Sequence, residues 1–113
     1  LYRVQFVLRN KPKYIHCSID DAISAKYVHN LYHAFKVLFW NHIYQATGEH
    51  RKLFRLYSEI TGNKNEMANV AADGKLGFGG ACFPKDVLAW HQKTASELTR
   101  FMLHYNSKLR KED

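Results

Sequence analysis

Residues 18–47 run without a single glycine or proline. Nothing in that stretch removes a backbone donor or adds backbone freedom, so nothing in it ends a helix. Ser18-Ile19-Asp20-Asp21 supplies a start, a serine cap with an acid three residues on. Gly48 supplies a stop. Apolar side chains recur between them at helical spacing, at Tyr27, Leu31, Ala34, Phe35, Leu38, Phe39 and Ile43. Val28, Tyr32, Trp40 and Tyr44 widen that surface. The pattern predicts one helix of roughly eight turns at 3.6 residues per turn. Its apolar breadth suits burial on more than one side. In a chain of 113 residues the second side falls to another subunit, so a homodimer through the long helix is expected.

The remaining chain reads as shorter pieces around that rod. A helix over 49–61 carries Leu53, Phe54, Leu56, Tyr57 and Ile60, and Gly62-Asn63 breaks it. A short helix is expected near 64–72, and others over 84–93 and 95–110. Thr94-Ala95-Ser96-Glu97 reads as a capping box for the last one. In front, residues 3–8 and 13–17 read as strands with Pro12 between them. They form either a small hairpin or the end of a larger sheet. The expected fold is mainly α, one domain over 1–113, with strand segments in 1–17 and a helical body over 18–113. No G-x-G-x-x-G follows a strand, and no βαβ alternation is present. No window reaches the ~18–20 apolar residues of a membrane span, and no secretory pattern opens the chain.

The densest chemistry lies in Gly77-Phe78-Gly79-Gly80-Ala81-Cys82-Phe83-Pro84-Lys85-Asp86. Its glycines let backbone curl closely around a bound group. Pro84 suits a first helical turn, where its missing N–H has no partner. Cys82 therefore sits at a helix start, where the dipole favours a thiolate. Asp86 is one turn further along the same face. A nucleophile with an acid–base or water-positioning neighbour is built this way.

That stretch resembles the signature of the UDP-glucose/GDP-mannose 6-dehydrogenases, which runs roughly G-x-G-Y/F-G-G-S/A-C-F-P-K-D. A second motif agrees. Lys26-Tyr27-Val28-His29-Asn30, followed by Leu31-Tyr32-His33-Ala34-Phe35, is similar to the family's K-x-x-x-N in a long helix. Cys82 lies 52 residues after Asn30, which matches the family's layout. The resemblance covers roughly 18–111, with Tyr105-Asn106 in the family's closing helix, and corresponds to the central helical domain. That domain is of the kind found at the C-terminus of 6-phosphogluconate-dehydrogenase-like folds.

The resemblance implies oxidation of a nucleotide-sugar C6 alcohol to a carboxylate, with NAD as acceptor. It implies that Cys82 traps the aldehyde as a thiohemiacetal and then a thioester. Lys26 would stabilise the oxyanion, and Asn30 would donate to the same oxygen or to a water. Asp86 would position water or stabilise the lysine. Gly77, Phe78, Gly79 and Gly80 would wrap the sugar, with Lys26 and Asn30 also on the substrate side, and Lys85 would lie toward the cofactor. NAD itself would be held by a domain not found in this sequence, so no cofactor and no turnover are expected of the chain alone. A dehydrogenase chain could supply that domain. The other reading is a non-catalytic dimerisation module that associates with a full-length dehydrogenase.

One departure stands out. The family's arginine sixteen residues before the cysteine is Glu66 here, an acid that would repel an anionic nucleotide sugar, and Asp73 adds another charge before the loop. The net charge of +7 invites a nucleic-acid reading, but the basic residues are spread along the chain with no recognition motif among them. Two cysteines are too few for a disulfide scaffold. Cys17 reads as structural and the location as cytoplasmic. His29 and His33 stand at i and i+4, a spacing that can bind metal. No H-E-x-x-H carboxylate accompanies them, so they read as helix-surface or interface histidines, and no metal is assigned. Trp40 and Trp90 read as packing residues.

Overall fold

The computed structural model describes residues 2–8, 11–63 and 75–111. Strands β1 (Tyr2–Leu8) and β2 (Lys11–Cys17) come first. Helices α1 (Ile19–Thr47), α2 (His50–Thr61), α3 (Phe83–Thr94) and α4 (Glu97–Arg110) follow. The fold is mainly α, as the helical patterning requires. The expected helix near 64–72 lies outside the described residues, as do Glu66 and Asp73.

Of the two arrangements open for the front segment, the structure has the hairpin. β1 and β2 pair antiparallel, with Tyr2 opposite Cys17 and Leu8 opposite Lys11. Pro12 belongs to β2, opposite Val7, and does not separate the strands as its chemistry suggested. A two-stranded sheet has only edge strands, so a residue without an N–H is tolerated there.

α1 begins where its cap predicts. Ser18 Oγ accepts from the Asp21 N–H at 3.0 Å, and Gly48, in the left-handed conformation, donates back to Tyr44 O. α4 is capped differently from the expectation. Ser96, not Thr94, is its N-cap, accepting from the Leu98 and Thr99 N–H groups, and the helix starts at Glu97. The reason is the preceding residue. Ala95 takes φ 52° and ends α3 by donating to His91 O, so the chain is still turning at the position where a Thr94 cap would need a helix to begin.

The core is built where α1, α3 and α4 meet. Ala34, Val37 and Leu38 of α1, Val87 of α3 and Met102 of α4 are buried, and Phe78 from the glycine-rich loop plugs into them. The buried stripe of α1 is thus displaced from the expected one. Val37 faces the core, whereas Phe35 and Phe39 are 40% and 46% exposed. They form a ridge between two apolar grooves. One, of about 420 Å³, runs toward α2 past Trp40, Phe54 and Tyr57. The other, of about 280 Å³, runs toward α4 past Phe101 and Tyr105. Trp40 packs edge-on against Phe54, with ring centroids 5.3 Å apart, and so fastens α2 to α1. Among the described residues, no helix is long and apolar enough to cross a membrane.

Candidate functional site between α1 and α3

Lys26 and Asn30 leave α1 one turn apart, and Lys85 and Asp86 sit in the first turn of α3. The two helices bring them together. Asn30 Nδ2 donates to Asp86 Oδ2 at 2.5 Å, a contact between residues 56 positions apart. Both groups are buried, Asn30 to 7% exposure and Asp86 to 5%. A buried carboxylate is costly unless hydrogen-bonded or paired. Here the Asn30 amide meets one oxygen and the Lys85 ammonium stands 3.8 Å from the other. Lys85 is largely exposed, so the ion pair contributes little and the amide does most of the holding. Asp86 is also in the first turn of its helix, where the dipole favours negative charge.

Next to this pair lies a cleft of about 350 Å³, lined by Ile23, Lys26, Tyr27, Lys85, Asp86 and Ala89. Two ammonium groups and one carboxylate therefore share one concavity. Tyr27 packs against Trp90 with centroids 5.5 Å apart, which closes one wall and gives Trp90 the packing role expected of it. Lys26 and Lys85 both line the cleft, and the ion pair of Asp86 is with its chain neighbour Lys85.

Cys82 is exposed and occupies the position just before α3, where a helix start was expected. Its carbonyl accepts from the Asp86 N–H at 2.9 Å, which fixes the one-turn spacing between them. It does not line the cleft. Pro84 is in the first turn of α3, as its ring chemistry predicts.

The glycine loop is held by two asparagines. Asn41 of α1 accepts from the Gly77 N–H at 2.6 Å. Asn106 of α4 accepts from the Phe78 N–H at 2.7 Å and donates back to Phe78 O at 3.1 Å. The amides of Gly77 and Phe78 are thus occupied within the protein, and the Phe78 side chain is in the core. The part of the loop left for a ligand is Gly79 and Gly80. Gly77 has φ +83°, and a side chain there would strike the Asn106 amide. A side chain at Gly79 would run into the Arg110 guanidinium. Gly77 needs glycine for its left-handed backbone, whereas a side chain at Gly79 would only require the Arg110 guanidinium to swing aside.

The described part of the site uses residues that patterning alone passed over. Asn41 is fully buried within an apolar run of α1, and Asn106 is 7% exposed. The signal was an uncharged polar residue on an otherwise core-facing turn. Around His33, burial and the nearby His29 and Lys36 hold the imidazole pKa below its ordinary 6.5.

The family model of the UDP-glucose/GDP-mannose dehydrogenase family, central domain, matches residues 20–108. This chain belongs to that family. The match runs from the first turn of α1 through α2, the glycine loop and α3 to nearly the end of α4, so every site residue named above except Arg110 lies within the central domain. No curated protein and no solved structure shows significant similarity to the chain. In this dehydrogenase domain, the K-x-x-x-N and C-F-P-K-D motifs meet through the Asn30–Asp86 contact.

Proposed function

We propose that this chain is the catalytic and dimer-forming core of a nucleotide-sugar 6-dehydrogenase, acting on UDP-glucose or GDP-mannose. The observation that carries the reading is the Asn30–Asp86 hydrogen bond, which joins the two motifs and sets Lys26 and Lys85 on one cleft. In such an enzyme NAD accepts hydride. Among the described residues no strand–glycine–helix turn is present to cradle a dinucleotide pyrophosphate, so the step assigned to this chain is the one at the aldehyde. Cys82 Sγ adds to C6 of the sugar aldehyde. The carbon–sulfur bond forms, the carbonyl π pair moves to oxygen, and that oxygen takes up the proton the thiol gave up. The Lys26 ammonium stabilises the charge while it resides on oxygen. Asn30 holds Asp86 in place, and Asp86 orients water for the later hydrolysis of a thioester.

The addition can be measured without turnover. The 6-aldehyde of UDP-glucose or of GDP-mannose is expected to slow alkylation of Cys82 by iodoacetamide, read by peptide mass spectrometry, with half-buried Cys17 as internal reference. Lys26→Ala is expected to weaken that protection. Labelling of Cys82 that neither aldehyde changes would overturn the catalytic reading.

The second element of the proposal is the dimer. Val28, Tyr32, Phe35 and Phe39 of α1 and Phe101 of α4 are large apolar side chains left exposed. A ridge flanked by grooves is a surface that another helix pair can cover. Sedimentation equilibrium at micromolar concentration should give a dimer, and Phe39→Lys should split it. A monomeric parent would leave the exposed face to a different partner, such as a dehydrogenase chain.

A further inference from the structure

We propose that the His29–His33 pair on α1 binds a late first-row divalent ion such as nickel or zinc through the two imidazole Nε2 atoms. The residues are one helical turn apart, and their ring centroids lie 4.3 Å apart at 50°. Two imidazoles sharing one ion, with metal–nitrogen bonds of about 2.0–2.1 Å, have centroids roughly 4.5–5 Å apart. The separation of the two rings is thus close to that of an ion-sharing pair.

Both rings are held in place. His29 Nδ1 lies 3.0 Å from Asn30 Oδ1. An amide oxygen only accepts, so the imidazole carries its hydrogen on Nδ1 and a lone pair on Nε2. A ring N–H donated to a carbonyl oxygen is the usual support behind a metal-bound histidine. Asn30 is itself tied to Asp86, so its amide cannot turn away. His33 is stacked on Phe83, with centroids 6.4 Å apart and planes at 11°, and Tyr32 meets it edge-on. Lys36, three residues beyond His33, is drawn over the Tyr32 ring, 5.5 Å from its centroid. Among the described residues no third His, Cys, Asp or Glu completes a cluster with the pair. Water fills the other positions, which makes the ion exchangeable. The same His29 ring reaches Asp86 through Asn30. On the catalytic reading above, occupancy would be felt at the α1–α3 cleft, but binding itself does not rest on that reading.

The test is a calorimetric titration of Ni²⁺ into the whole chain at neutral pH, with Cys17 and Cys82 alkylated beforehand so that thiols cannot take the ion. One ion per chain is expected. His29→Gln and His33→Gln should each weaken it by about tenfold or more. His104→Gln, exposed on α4, should leave it unchanged. Far-UV circular dichroism checks that each variant keeps its helices. Parent-like affinity in either single variant, or no difference between the parent and the double variant, overturns the site. Because Cys82 is blocked throughout, this outcome is independent of the aldehyde test.

Discussion

Phe78→Ala will cost about 3–5 kcal/mol of folding stability, the usual range for truncating a fully buried phenylalanine. Phe78 is 1% exposed and is the loop's only contribution to the buried core cluster of the described residues. It shares that cluster with Ala34, Val37, Leu38, Val87 and Met102, which belong to three different helices. Those helices are fixed by their own contacts, so they cannot collapse fully into the gap, and the cavity term adds to the lost transfer energy. The loss is a large share of the 5–15 kcal/mol available to an ordinary domain. Urea unfolding followed by circular dichroism measures it. A change under about 1 kcal/mol would show that the loop does not anchor in the core as described.

Asn106→Ala comes next, at about 2–4 kcal/mol, because it strips a buried N–H and a buried C=O of Phe78 at one stroke. Two further variants separate the halves of that effect. Asn106→Asp keeps an acceptor for the Phe78 N–H and sets a carboxylate oxygen against its carbonyl, so it recovers only part of the loss. Asn106→Leu fills the volume and satisfies neither group, so it behaves like the alanine variant. Equal stability of the Leu variant and the parent would mean that the Phe78 backbone has found water, and that Asn106 does not govern the loop.

The Asn30–Asp86 contact shows how far each level of description reaches. The i, i+4 spacing of Lys26 and Asn30, and the one-turn spacing of Cys82 and Asp86, are properties of the helix repeat and hold wherever those helices lie. That the two pairs meet depends on how α3 crosses α1, which local spacing does not encode. The resemblance to a family implied one site for these residues, with Asn30 directed at the substrate oxygen or a water and Asp86 at water or the lysine. The bond between Asn30 and Asp86 came from the structure. Asn41 and Asn106 were harder to see, because an asparagine in a helix ordinarily faces water. Only a loop lying against it gives the amide something to satisfy.

The capping error at α4 has the same origin. Thr94 and Ser96 are both good N-caps by chemistry, and the choice fell to Ser96 because Ala95 had already taken the left-handed conformation that ends α3. The displaced stripe of α1 follows similarly. Phe35 and Leu38 are both apolar and both in helical register, yet only Leu38 faces the core.

By itself the sequence determined the long α1 with both its ends, the mainly helical class, and the glycine turn leading into a cysteine at a helix start. These follow from local physics: which residues can donate a backbone hydrogen bond, cap a terminus or adopt a positive φ. Only the tertiary structure decided which apolar face of α1 is buried, which amides of the loop are already spent on Asn41 and Asn106, and that Asp86 is held by Asn30. Those depend on packing between segments tens of residues apart, where burial and hydrogen-bond satisfaction must be met together and no short window of sequence contains both partners.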